Sequence, residues 1–208
     1  FLGLSKFSYH LVLDDRLPWF LIVRLVILGI IFGLVGYLFA RTMRLTRLTL
    51  TNHFPNPVWR IGIVGIIVSI LLFIFHDGRY ASLGTNLIVD SFHGGTIYPY
   101  DWLLKMILTA LTLACGFQGG EVLPMFAIGS TLGAALAGIF GLPVDFVAAL
   151  GFASVFGSAT NTFLAPIFIG AEVFGFDAIP YFFIVCAIGY LCNGNRSVYS
   201  LQKIEKEF

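Results

Sequence analysis

The stretch Gly116-Phe-Gln-Gly-Gly-Glu-Val-Leu-Pro124 holds the residues best suited to chemistry in this chain. Gly119 and Gly120 permit a tight backbone path, and Pro124 fits a first helical turn, where a missing N–H costs nothing. The spacing predicts a helix that begins here with free N–H groups at Glu121, Val122 and Leu123. Such an end carries a partial positive charge and is a ready site for an anion. The same residues also suit a plain helix entry whose glycines serve close packing. Glu121 has two readings. It is either a capping acid that stabilises the helix dipole or a carboxylate that competes or titrates with a bound anion.

Three further places carry polar groups in apolar surroundings. Ser158-Ala-Thr-Asn-Thr162 offers hydroxyl and amide donors from Thr160, Asn161 and Thr162, either to a ligand or simply to finish a helix. Glu172 is an acid within an apolar run, where burial calls for a function or for an arginine partner. Asn193-Gly-Asn-Arg-Ser-Val-Tyr199 brings a phenol toward the start of a predicted last helix over 196–208, although an interfacial tyrosine is also common at such a place. No nucleophile elbow, zinc-binding helix or phosphate-cradling loop occurs, so neither an enzyme, a metal site nor a cofactor is expected. His10, His53, His76 and His93 lie near span ends or loops. Cys115, Cys186 and Cys192 read as small buried hydrophobes.

These residues need elements to position them, and the composition says which solvent surrounds those elements. Of 208 residues, 58% are hydrophobic and 11% charged, against roughly a quarter charged in soluble domains. The solvent is therefore a lipid bilayer. A formal net charge of +1 leaves no footprint for nucleic acid. Leu17–Ala40 is long enough to cross the ~30 Å hydrocarbon layer. Arg41, Arg44, Arg47 and His53 after it mark the cytoplasmic side. Prolines at 55 and 57 stop that helix before a second span, Val58–Phe75. Leu83–Phe92 predicts a short amphipathic helix, and Trp102–Gly116 an apolar run with Asp101 as its cap. Glu121–Phe140, Asp145–Ala159, Thr162–Phe174 and Ile179–Cys192 follow. Several are too short to cross the layer upright, so their ends require protein or water around them. Transporters built from broken helices place such ends at a midplane binding site.

In order and spacing these motifs resemble the CLC family of chloride channels and transporters, from about Leu17 to Gln202. Gly119-Gly120-Glu121-Val122-Leu123-Pro124 resembles its glycine-rich anion motif (Gly-Gly-x-Phe-x-Pro in many members). Tyr199 resembles its anion-coordinating tyrosine. Asp77-Gly-Arg-Tyr and Tyr98-Pro-Tyr-Asp-Trp-Leu-Leu-Lys also look like family sequence. Ala159-Thr-Asn-Thr162 and Gly119-Gly120-Glu121 are most similar to the bacterial fluoride-exporting branch. Phe163 replaces that branch's usual proline, and Val122 departs from the Phe-x-Pro pattern.

The resemblance implies an all-α, polytopic fold of tilted and broken helices. It divides the chain into an N-terminal loop or helix end (1–16), a second inverted repeat (17–192) and a terminal helix (193–208). It implies an anion site at Gly120, Glu121, Val122, Thr160, Thr162 and Tyr199, with a halide ion (fluoride or chloride) and protons as partners. A homodimer in the bacterial inner membrane also follows, with its contact expected through Thr162–Cys192, where Gly170, Ala171 and Gly175 let helices approach. The family's first repeat, with its serine ligand and gating glutamate, has no match here, so the chain would hold half a pathway. Fluoride–proton exchange stands ahead of chloride transport. A sodium-coupled transporter and a non-transporting membrane subunit are the other readings.

Overall fold

The computed structural model describes Tyr9, Leu11 and residues 19–199. Among these there is no strand, as the all-α expectation requires. The helices run α1 (Trp19–His53), α2 (Pro57–Ile74), α3 (Thr85–Phe92), α4 (Asp101–Cys115), α5 (Val122–Phe140), α6 (Val144–Thr160), α7 (Leu164–Phe174) and α8 (Ile179–Cys192). Residues 196–199 are irregular, and 200–208, where the last helix was expected, lie outside the described residues, as does most of 1–16.

Three helices, α1, α2 and α5, are long and apolar enough to cross a membrane. The first span is expected to end at Ala40, but α1 continues through the arginines to His53, 35 residues in all. No breaker intervenes before Pro55, and the residue preceding a proline is driven out of helical geometry. At 1.5 Å per residue α1 is about 50 Å long and outruns the ~30 Å layer. Its arginines therefore ride on a helical extension. Asn56 caps α2 by accepting from Val58 N at 2.9 Å, with Pro57 as the first helical residue.

The core is α6. Every residue from Phe146 to Thr160 is buried, so no face of this helix meets lipid. It is wrapped by α1, α5, α7 and α8. Backbone contact with α5 is close enough that a methyl on Gly129 would overlap the Gly151 carbonyl. On the other side a Cβ at Gly36 of α1 would lie 2.5 Å from that of Ser158. Ser158 Oγ instead donates to Gly33 O at 2.7 Å and ties α6 to α1. The small residues of α7 serve the same kind of packing within the chain. A Cβ at Gly170 would sit 3.0 Å from the Phe182 ring, and Ala171 is buried. Gly175, at φ 111°, makes the turn after α7.

Asp101, expected to cap α4, is instead its first residue, and Tyr100 holds the cap position without a side-chain hydrogen bond. Asp101 is wholly buried and gathers the turn between α2 and α3. Its Oδ2 accepts from Arg79 Nη2 at 3.0 Å and Tyr98 N at 2.9 Å, and its Oδ1 accepts from Tyr80 Oη at 2.5 Å. Burial, then Asp101, push the Tyr80 phenol well above its ordinary range. One turn later Lys105 Nζ donates to Tyr80 O at 3.0 Å and Ser82 O at 2.8 Å. Together Asp101 and Lys105 clamp residues 79–82 against α4. Asp101→Asn strips the charge that Arg79 faces and should cost about 3–5 kcal/mol of stability. Thermal unfolding in detergent should show a clearly lower midpoint; an unchanged one would make that charge idle.

Candidate functional site

The helix expected at Gly116–Pro124 forms, with Glu121 just ahead of its first turn at φ −87° and ψ −25°. The Glu121 side chain makes no capping hydrogen bond. Among the described residues, no acceptor takes the N–H of Glu121, Val122 or Leu123; the first bond back is Met125 N to Glu121 O at 3.3 Å. Gly120 and Val122 are exposed, so these donors are reachable. One carboxylate oxygen of Glu121, Oε2, is buried and has no hydrogen-bond partner among the described residues. Burial holds this carboxyl above the usual carboxylate range, and Arg47 acts in the opposite direction.

The far end of α6 is built in the opposite way. A helix end leaves four carbonyls without intrahelical partners, and here all four are taken. Gly157 O accepts from Thr162 N at 2.9 Å, and Ser158 O from Asn161 N at 3.2 Å. Asn161 adopts the left-handed conformation, φ 54°, which completes a Schellman turn without glycine. Ala159 O accepts from Val198 N at 2.9 Å, and Thr160 O from Ser197 Oγ at 3.2 Å. Residues 197 and 198 are thereby stapled to α6.

Asn193 locks the same loop from inside. Fully buried, it donates through Nδ2 to Ser158 O at 2.8 Å, Asn161 Oδ1 at 2.9 Å and Arg196 O at 3.2 Å. Its Oδ1 accepts from Asn195 N at 2.7 Å. Tyr199 N then donates to Ser197 Oγ at 3.1 Å, leaving the tyrosine 44% exposed. Burial first, and then the charge of Glu121, raise the Tyr199 phenol. Glu121 and Tyr199, 78 positions apart, thus act on each other.

Thr160 and Thr162 sit differently. Thr160 Oγ1 donates to Phe156 O at 2.8 Å and lies 2.8 Å from Thr162 Oγ1. A hydroxyl has one proton, so Thr162 is the donor in that pair. Both protons are spent inside the helix end, and it is the Thr160 carbonyl, not either hydroxyl, that meets the 193–199 loop. Glu172 lies on the exposed side of α7 and borders neither cavity described below.

Two cavities matter for these residues, and one of them borders the start of α5. One, about 450 Å³, is lined by Arg41, Arg44, Arg47 and Arg196 together with Tyr199. The Arg196 guanidinium stacks 5.1 Å from the Tyr37 ring. None of these four arginines is in a salt bridge among the described residues. The other, about 340 Å³, is lined by Lys105, Thr109, Gln118, Gly119, Gly120 and Pro124, among others. The α5 start borders the second cavity directly and is coupled through Glu121 to the charges of the first. Sequence reasoning singled out neither Asn193 nor Lys105. The rule applied to Glu172, that a charge inside an apolar run needs a reason, points equally to Lys105.

This architecture has close counterparts. A family model described as voltage gated chloride channel matches residues 1–194. A chloride/fluoride channel protein of Pseudomonas syringae pv. tomato is 35% identical over 203 residues, covering 94% of this chain and 45% of its own length. The crystal structure of a CLC-type fluoride/proton antiporter superposes with a TM-score of 0.95 at 52% identity, over 97% of this chain and 51% of that one. A slow cyanobacterial Cl⁻/H⁺ antiporter shares the fold, with a TM-score of 0.75 at 23% identity over 92% of this chain and 47% of that one. The chain thus spans about half the length of the relatives it matches, and the named ones are channels and antiporters, not enzymes. Matched by that family model over residues 1–194 and built from long apolar helices, this chain is an integral membrane protein of the voltage-gated chloride channel family, CLC.

Proposed function

We propose that this chain forms one half of a halide pathway and takes part in fluoride–proton exchange across the bacterial inner membrane. The observation that carries this reading is the contrast between two helix ends. The four terminal carbonyls of α6 are all satisfied, whereas three N–H groups at the start of α5 are reachable and unclaimed among the described residues. An open donor end that borders a cavity is where an anion belongs. The fluoride/proton antiporter's 52% identity over 97% of this chain favours fluoride over chloride.

In this reading the backbone at Gly120, Glu121 and Val122 holds the ion and the Tyr199 phenol donates a further hydrogen bond. Through its carbonyl Thr160 holds the loop that carries the phenol, and Thr162 closes the end of α6 behind it. Glu121 supplies the titratable group that exchange with protons requires. The layout is a leading segment (1–16), a second repeat (17–192) and a terminal segment (193–208). A homodimer would use the apolar side of α7 and α8, where Leu164, Phe168, Phe183 and Leu191 are exposed. That surface replaces the small residues as the expected contact.

Reconstituted native protein should release fluoride from liposomes faster than chloride; faster chloride release would move the assignment to chloride transport. Tyr199→Phe removes one hydrogen bond to a charged ligand, about 1.5–3 kcal/mol, and should weaken halide binding roughly ten- to a hundredfold in calorimetric titration. Wild-type affinity in that variant would leave the backbone amides as the only ligands. An ionised Glu121 repels the halide, so protonation favours binding. Affinity should therefore rise as pH falls through the raised Glu121 range, by about tenfold. Glu121→Gln should abolish this slope, and a slope that survives would place the coupled proton elsewhere.

A further inference from the structure

We infer that Lys105 and Thr109 form a second halide subsite, in the cavity bordered by Gly119 and Gly120; this rests on the halide reading above. Lys105 is 1% exposed, yet it has no carboxylate within salt-bridge distance among the described residues. Asp101, one turn earlier on α4, is engaged by Arg79, Tyr80 and Tyr98. An ammonium has three donors. Two of them go to the Tyr80 and Ser82 carbonyls, which are dipoles and leave the charge itself uncompensated. A buried charge without a counter-charge is costly, and an anion in the adjoining cavity supplies what the protein lacks.

Thr109 provides the second ligand. It lies four residues beyond Lys105, hence on the same face of α4, and is 8% exposed. Its hydroxyl has no hydrogen-bond partner among the described residues, and it lines the same cavity as Lys105. Two neighbouring hydroxyls are already committed: Ser69 Oγ donates to Gly65 O at 2.9 Å and Thr112 Oγ1 to Leu108 O at 2.7 Å. One ammonium and one free hydroxyl lining a single cavity offer two donors to a monovalent anion. The cavity, about 340 Å³, has room for that anion with waters still attached, since each water takes about 30 Å³. The subsite receives a halide that is still hydrated, next to the glycines that lead into α5.

The test uses the native protein, titrated with sodium fluoride by calorimetry and crystallised with sodium bromide. Two bromide peaks per subunit are expected. One lies at the start of α5, and the other is within hydrogen-bond reach of Lys105 Nζ and Thr109 Oγ1. Thr109→Val should erase the second peak and weaken fluoride binding at one of two sites roughly ten- to a hundredfold, leaving the other untouched. Lys105→Arg keeps the charge and should keep both sites. Lys105→Met also cuts the clamp on residues 80–82, whereas Thr109→Val touches no hydrogen bond of the fold, so the threonine variant decides. Wild-type affinity at both sites in Thr109→Val overturns the subsite. A bromide peak with no matching change in the titration reads as an adventitious ion only and overturns it too. Halide bound at the start of α5 alone overturns the subsite but leaves the transport reading standing. A native protein that binds no halide defeats both.

Discussion

A backbone N–H or C=O that meets hydrocarbon finds no water to bond, and each helix end exposes four of one kind. Every break in this chain has to answer that constraint. Between α6 and α7 the carbonyls at the end of α6 are all answered. Asn161 turns left-handed, the Schellman bonds close, and the 193–199 loop folds back to occupy the remaining carbonyls. The break between α4 and α5 leaves its donors open. The same rule that makes the first break rigid makes the second one reactive, because an open donor set inside a membrane protein is stable only beside water, an ion or another protein surface.

Packing fixes where these two ends lie. Because α6 is buried on all sides, it must be approached by neighbours at backbone distance, and the glycines of α1 and α5 permit that. Once α5 lies along α6, its start is placed relative to the whole chain. Once the 193–199 loop is stapled to the end of α6, Tyr199 is placed as well. The electrostatic coupling between Glu121 and Tyr199 is therefore a consequence of helix–helix contact and carbonyl satisfaction acting together. Neither residue reaches the other through local structure.

Charge is distributed unevenly around that centre. One cavity carries four solvated arginines on the extension of α1 and on the last loop. The other carries a single lysine, buried and held by two carbonyls. Exposed guanidinium groups act at range and are weakened by salt. A buried ammonium acts at contact and is screened much less. Both favour anions, by different physics.

Much was legible in the residues themselves. Composition dictates a lipid solvent, proline and glycine punctuation marks most helix limits, and Gly-Gly-Glu-Val-Leu-Pro announces a helix start with free donors. These are local properties, set by dihedral freedom, missing N–H groups and side-chain transfer energies, and they survive in any fold that keeps the chain helical. The length of α1 escaped because arginine and threonine are tolerated in a helix, so polarity alone does not end one. What Asn193, Asp101 and Lys105 do was not local. Whether a hydroxyl proton is free for a ligand, or a lysine has a counter-ion, depends on which atoms from distant segments arrive beside it. Only the tertiary structure brings residue 193 to residue 158 and residue 105 to residue 80, because those hydrogen bonds form only after the helices have packed.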